Sequence, residues 1–468
     1  MSRIDELQKK YPSIPRDMII CWDAHRNGIR YTEVIDTLSY YDRGRLYQSR
    51  DTDVTLKDIA MARPRAIREG LVLNPTPMYT KSGFGAQIVR DTQSSYEIRE
   101  EGPEQYALYA GEEKVEDVYF PKPKKRWGDY GEKEPRTSKG TPVTSLVNLR
   151  RRCFMICELR HCQYFDTGDQ CKFCNFNASQ EDASSIGVSR PVTINLDETV
   201  EAYKIITSEM PPLIEGRLTM GGLADSEQEA KIHLQFVEKL ASTTSYLPNI
   251  GSSTQPMSRA NLQRLKDAGL GSISMNIEVW HPQLFEEVCP GKAKNRGRGR
   301  YLEAYQDAVE ILGWGSVGTN MPPGLTLIPE NGHKTWREAW DSQAEGVRWL
   351  IQRGVLPSFG VSVLGEGSVF GANPANRAKL PPTEYHLELI LAHHQACKEF
   401  DMYSRMNKLL WCPLDCPPNQ YAGELGMIEI AGDLGKWADM AVPADANWLG
   451  RFIESFKSPA LTDKEDKR

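Results

Sequence analysis

The sequence predicts an α/β chain: a parallel (β/α) barrel, partial or full, with a small N-terminal α+β region and a C-terminal extension. Three observations predict it. From Val143 onward, short apolar runs alternate with amphipathic helical stretches through about six β-α units, the pattern of parallel strands joined by helical crossovers. Before that point the apolar segments are shorter and read as antiparallel strands. The chain has 468 residues, 40% hydrophobic and 26% charged, enough for one large domain with smaller attachments. A TIM-type barrel is the architecture that unites these features.

Taken in order, residues 1–140 form the accessory region, with a helix expected over 30–41 and strands at Tyr96-Glu-Ile-Arg and Gln105-Tyr-Ala-Leu-Tyr. A proline- and lysine-rich link from Phe120-Pro-Lys-Pro-Lys-Lys-Arg126 to Thr141 sets the boundary. The core, 141–365, opens on a strand at Leu146-Val-Asn-Leu. Helices at 196–209, 227–242, 258–268, 301–312 and 336–353 then alternate with strands at Leu218-Thr-Met, Asn249-Ile-Gly-Ser, Ser272-Ile-Ser-Met-Asn-Ile, 318–327 and 357–364. Residues 366–457 complete or extend the barrel. The glycine-rich run 365–374 reads as an active-site loop, and 383–402 as an amphipathic helix opened by two prolines and a threonine cap. The charged tail 458–468 is expected to be disordered.

The net charge of −6 disfavours a dedicated nucleic-acid binder. The basic run Lys292-Ala-Lys-Asn-Arg-Gly-Arg-Gly-Arg300 reads as a solvated loop rather than an anion site. No signal peptide is expected from the charged opening MSRIDELQKK, and no membrane span from any apolar stretch, so the expected location is cytoplasmic. The ten cysteines then read as reduced thiols and metal ligands.

Cys162, Cys171 and Cys174 carry the chemistry, spaced by eight residues and then two. Three thiolates this close ask for a metal. With a fourth, from Cys153 or Cys157, they would close a tetrahedral zinc site. Left as three, they would hold a [4Fe-4S] cluster with one iron open to a ligand. Spacing alone leaves both readings standing. Gly221-Gly222, after the second strand, is either a tight turn or a loop that lets a ligand reach main-chain carbonyls. Asn276 and Glu278, two residues apart on the fourth strand, share a face by period-2 geometry; they form either a buried polar pair or a contact for ligand hydroxyls.

Together these segments resemble the radical S-adenosylmethionine (radical SAM) superfamily, over about residues 148–364. The run Thr167-Gly-Asp-Gln-Cys-Lys-Phe-Cys174 is similar to the long cysteine loop of the elongator catalytic subunit. The run from Asn276-Ile-Glu through Cys-Pro-Gly291 is similar to a segment of lipoyl and biotin synthases. The resemblance implies that Cys162, Cys171 and Cys174 hold a [4Fe-4S] cluster whose fourth iron is chelated by S-adenosyl-L-methionine. It implies that Phe173 fills the aromatic place before the last cysteine, that Gly221 and Gly222 hold the methionine amine, and that Asn276 and Glu278 contact the ribose. It further implies reductive cleavage to a 5′-deoxyadenosyl radical in a dry site, an electron donor such as flavodoxin or ferredoxin, and a small-molecule or peptide substrate.

Two departures from that pattern stand out. The spacing of eight then two replaces the common three then two, and Leu223 stands where an acidic residue is frequent. His161, Tyr164 and Asp166 would shape the mouth of the longer loop without a catalytic role. Cys153, Cys157, Cys412 and Cys416 form two pairs, each separated by three residues, that would hold an auxiliary cluster or zinc if they met; otherwise they are buried thiols, as expected for Cys21, Cys289 and Cys397. His386, His393 and His394 read as surface or packing residues of their helix. The reading from a different class is a binding protein whose zinc or iron–sulfur site is structural.

Overall fold

Seven strands in one sheet organise the chain in a computed structural model that describes residues 2–30, 84–120, 135–150, 153–185, 192–209, 215–243, 249–365 and 367–405, with short pieces between 34 and 80. Most of the helix expected at 30–41, residues 121–134 of the link, Cys412, Cys416 and the tail 458–468 lie outside the described residues.

The N-terminus is helical ahead of the first helix the sequence predicts. Helix α1 (Arg3–Lys10) starts at a capping box in which Ser2 Oγ accepts from Asp5 N, and α2 (Arg16–Asn27) follows Pro15. In α2 the run Met18-Ile-Ile-Cys-Trp22 is buried on every side, so no polar face marks it as a helix. A three-stranded antiparallel meander follows: β1 (Tyr96–Gly102), β2 (Gln105–Ala110) and β3 (Glu113–Val118). The first two are the strands the alternation predicts.

In the main sheet an edge strand, β4 (Asn148–Arg150), pairs antiparallel with β5 (Cys153–Leu159). Helix α3 (Phe176–Ser185) and α4 (Leu196–Glu209) lead on to β6 (Glu215–Met220) and α5 (Ser226–Ala241). Next come β7 (Asn249–Thr254), α6 (Arg259–Asp267), β8 (Ser272–Met275), α7 (Pro282–Val288), α8 (Pro290–Asn295) and α9 (Arg298–Leu312). The series closes with β9 (Val317–Asn320), α10 (Trp336–Ile351), β10 (Val355–Ser358) and α11 (Thr383–Glu399).

Strands β5 to β10 run parallel in chain order, a partial (β/α) barrel. The first parallel strand is therefore Cys153–Leu159, not Leu146-Val-Asn-Leu, which divides between a helical turn and the antiparallel edge. Pro357 sits on β10, at the sheet's edge, where its missing N–H leaves fewer ladder bonds unmade. The threonine cap of α11 is also corrected. The N-cap is Pro382, and Thr383 Oγ1 instead donates to Asp23 Oδ1 at 2.6 Å.

Register separates the two faces of the sheet. Phe154, Ile156, Leu218, Ile250, Ile273, Val317 and Val355 belong to one hydrophobic core with residues of the flanking helices, and the ring of Phe154 meets Tyr203 of α4 edge-on at 4.9 Å. The opposite face carries a cross-strand row of hydrogen-bonded neighbours: Cys157, Thr219, Ser253, Ser274, Gly318 and Leu356. A second core joins α1, α2 and the meander to α10 and α11, with Trp22 stacked on His386 at 5.2 Å. His386 and His393 are packing residues, each 1% exposed. Among the described residues no helix is long and apolar enough to cross a membrane.

Candidate functional site

The cysteine loop leaves the C-terminal end of β5 and is sewn into the rim of the sheet by its backbone. The N–H of Gln163 donates to Gly222 O at 3.0 Å, Gly221 N–H to Leu159 O at 2.9 Å, Lys172 N–H to Val288 O at 2.9 Å, and Gly291 N–H to Asp169 O at 2.8 Å. Phe370 N–H, from the glycine-rich 365–374 run, donates to Lys172 O at 2.7 Å, so that run packs on the cysteine loop. Asn177 holds Cys162 from α3: its Oδ1 accepts from Cys162 N–H at 2.9 Å, and its Nδ2 donates to Cys162 O at 3.2 Å.

Gly221 is glycine because a Cβ there would fall 1.9 Å from His161 O; a Cβ at Gly222 would meet Gln255 Nε2 and Tyr164 Cε2 at 3.1 Å. The turn and the cysteine loop thus touch backbone to backbone. Tyr164 is buried and donates to Gln255 Oε1 at 2.7 Å, which anchors the lengthened loop, while His161 and Asp166 pair at 2.9 Å on the exposed side.

Cys162, Cys171 and Cys174 are half-buried, and Cys162 and Cys174 each feel the charge of Cys171. Burial raises the Cys162 thiol, and burial beside Cys171 pushes Cys174 up to about 12. Cys171 goes the other way, lowered chiefly by a hydrogen bond from the Cys289 thiol and helped by Lys292. Loading a metal here displaces thiol protons. Among the described residues no three His, Cys, Asp or Glu side chains converge as ligands of one ion. A cubane makes a different demand, one thiolate per iron, and the three cysteines on this loop suit that donor set. Phe173 is partly buried against the barrel's outer core.

Asn276 and Glu278 stand at the end of β8, but the strand stops at Met275 and the period-2 argument stops with it. Glu278 has φ +65°, in the left-handed region, a strained conformation for a residue with a Cβ. Its N–H donates to Asn320 O at 3.0 Å, which helps to hold it there. Asn276 Oδ1 accepts from Ser274 Oγ at 2.8 Å and from Asn320 N–H at 3.0 Å. Glu278 Oε1 accepts from Lys292 Nζ at 2.7 Å, and the same ammonium donates to Asn276 O at 2.7 Å.

Lys292 is the residue the sequence reading missed. Its side chain is 13% exposed, and although burial works against its charge, Glu278, Tyr301, Cys171 and Cys289 together raise its pKa. The basic run is thus no solvated loop. It spans the ends of α8 and α9, with Arg296 donating to Leu223 O and Ala224 O, Arg298 to Trp280 O and Arg300 to Met257 O. Pro290, at the first position of a helix, was the available signal. Cys289, expected to be an ordinary thiol, is fully buried but donates a hydrogen bond to Cys171. Cys157 is half-buried, with Sγ 3.6 Å from Leu159 O. Cys153 is the first residue of β5.

No family model matches the sequence. It is 27% identical over 242 residues to the bacteriochlorophyllide c C-7(1)-hydroxylase of Chlorobaculum limnaeum, a match that covers 48% of this chain and 56% of the relative, so the chain spans little more than half of that protein's length. Among solved structures it is similar to a methylornithine synthase, at 17% identity, 51% of this chain, 62% of that chain and TM-score 0.37. A radical SAM methyltransferase from Sphaerobacter thermophilus matches at 12% identity, 84% of this chain, 91% of that chain and TM-score 0.36.

Proposed function

We propose that this chain, which resembles the radical SAM superfamily, is an enzyme that holds a [4Fe-4S] cluster on Cys162, Cys171 and Cys174 and binds S-adenosyl-L-methionine at its open iron. When bound, that pair supplies one-electron cleavage of the sulfonium and hydrogen abstraction from a second substrate. The observation that carries the reading is the joining of three separated segments at one rim: the cysteine loop to Gly222 through Gln163, and to Glu278 through Lys292, whose charge also bears on Cys171.

Each of the chain's own residues then has work to do. The Gly221-Gly222 turn offers main-chain carbonyls to an ammonium, since a carbonyl has two lone pairs and Gly222 O spends one on Gln163. Glu278 keeps its second oxygen for a ribose hydroxyl while Lys292 holds the first. Asn276 presents its Nδ2, because its Oδ1 is already taken by Ser274 and Asn320. The row of Thr219, Ser253, Ser274 and Gly318, polar or small on the face opposite the core, suits a substrate with polar groups. A small molecule is favoured over a peptide, as the curated relative reported above is named as a bacteriochlorophyllide hydroxylase. A flavodoxin or ferredoxin would deliver the electron.

Anaerobic reconstitution with iron and sulfide tests the reading. Brown protein that releases 5′-deoxyadenosine with dithionite is the expected result, and Cys171→Ala should abolish release while the chain stays folded. Colourless protein holding a single tight zinc overturns the proposal in favour of a structural metal site. Deuterium tracing from candidate substrates into 5′-deoxyadenosine would then identify the class of molecule attacked.

A further inference from the structure

Beneath the Gly221-Gly222 turn lies a buried carboxylate to which the proposed function assigns no part. Glu229, on the first turn of α5, is 2% exposed and accepts four hydrogen bonds. Its Oε1 takes the N–H of Gln255 at 2.7 Å and the hydroxyl of Thr254 at 2.5 Å; its Oε2 takes Gln255 Nε2 at 2.9 Å and the N–H of Leu223 at 3.2 Å. All four partners are donors. Only an acceptor-only side chain satisfies them all, which makes Glu rather than Gln the residue this position demands.

The connections run from Glu229 to the cysteine loop by two routes. Leu223 N–H and Gly222 C=O belong to one peptide group, and Gly222 O in turn accepts from Gln163 N–H, the residue after Cys162. A carboxylate pulling on the N–H end polarises that peptide and strengthens the bond at its carbonyl end. In the second route Glu229 fixes Gln255 Nε2 toward itself, so Gln255 Oε1 turns outward and accepts from Tyr164 OH at 2.7 Å. Both routes end on residues within two of Cys162.

We infer that Glu229 is a positioning residue that fixes the cysteine loop against the Gly221-Gly222 turn. This rests on reading that loop and turn as the S-adenosylmethionine site. The negative charge that similar proteins often carry on the turn itself, at the position of Leu223 here, is supplied from the helix below and acts through the backbone.

The test pairs a readout on the metal-free full chain with one on the reconstituted enzyme. Glu229→Gln keeps the Oε1 bonds and sets an NH₂ group against the remaining donors. With its melting temperature near that of the parent, amide hydrogen exchange at Leu223 and Gln163 should speed up about tenfold, the equivalent of one lost hydrogen bond. In the holoenzyme the KM for S-adenosylmethionine should rise about tenfold with kcat nearly unchanged. Unchanged exchange at Gln163 in folded Glu229→Gln overturns the inference. Faster exchange in a protein that does not bind S-adenosylmethionine upholds the positioning and sinks the proposed function instead. If Glu229→Gln fails to fold, Tyr164→Phe carries the test. Cutting the second route alone should make Cys162 of the metal-free chain alkylate several-fold faster, and an unchanged rate overturns the inference.

Discussion

Two buried carboxylates hold two regions of this molecule together by the same chemistry and to different ends. Asp23, 0% exposed, accepts from Arg3 Nε at 3.2 Å, Tyr96 OH at 2.6 Å and Thr383 Oγ1 at 2.6 Å, so it ties α1, the meander and α11 into one core. Glu229 ties the loops after β5, β6 and β7 at the rim. Neither burial nor the number of bonds tells them apart. The far end of each network does: Asp23 leads to packing side chains, Glu229 to Cys162 and the Gly221-Gly222 turn. A buried, satisfied carboxylate becomes a functional clue only when its donors belong to the loops proposed to carry the chemistry.

Four substitutions test that contrast. Lys292→Met, at the rim, strands a nearly buried Glu278 carboxylate and should cost about 3–5 kcal/mol; urea unfolding measures this, and titration of the holoenzyme should show weakened S-adenosylmethionine binding. A variant that binds normally would move Lys292 to the structural side of the comparison. Asp23→Ala leaves three donors without their acceptor and should cost about 3 kcal/mol, while KM for S-adenosylmethionine in the folded fraction stays at the parent value. A changed KM would mean that the two regions are coupled.

The third turns on pH. Burial lowers His393 from its ordinary value to about 3. The unfolded chain therefore takes up a proton near pH 6.5 that the folded chain refuses, and stability falls as pH drops from there toward 3, by about 1.4 kcal/mol per unit from this group. His393→Leu should flatten that part of the acid limb in chemical denaturation, and an unaltered slope would refute the assignment. His233 has the opposite sign. Burial opposes its charge, but Glu158 at 2.6 Å raises its pKa. Thr383→Val is the mildest change. It removes one of the three bonds to Asp23 and should cost about 1 kcal/mol by thermal melt, with the rim untouched.

Much of the barrel was legible because its helices are amphipathic and its inner strands short and apolar: α4, α5, α6, α9 and α10 lie within a few residues of their expected limits. Helix α2 was not legible, since a helix buried on all sides shows no 3.6-residue period. The edge strand β4 was mistaken for the first parallel strand because direction leaves no mark on composition. At the site, the three cysteines and the two glycines announce themselves by spacing. Lys292 and Glu229 do not, for a charged residue gives no sign in the sequence of whether its partner lies in water or across the fold.

Residue type and periodicity alone carry the alternation of strand and helix, the clustering of Cys162, Cys171 and Cys174, and the pair of small residues at Gly221 and Gly222. These are local properties, written in periodicity and residue type. Only the tertiary structure decided that Lys292 turns inward to Glu278, that Cys289 meets Cys171, and that Glu229 reaches the cysteine loop through a single peptide group. Each of those contacts joins segments far apart in the chain, and a buried charge takes its partner from whatever the fold brings within about 3 Å.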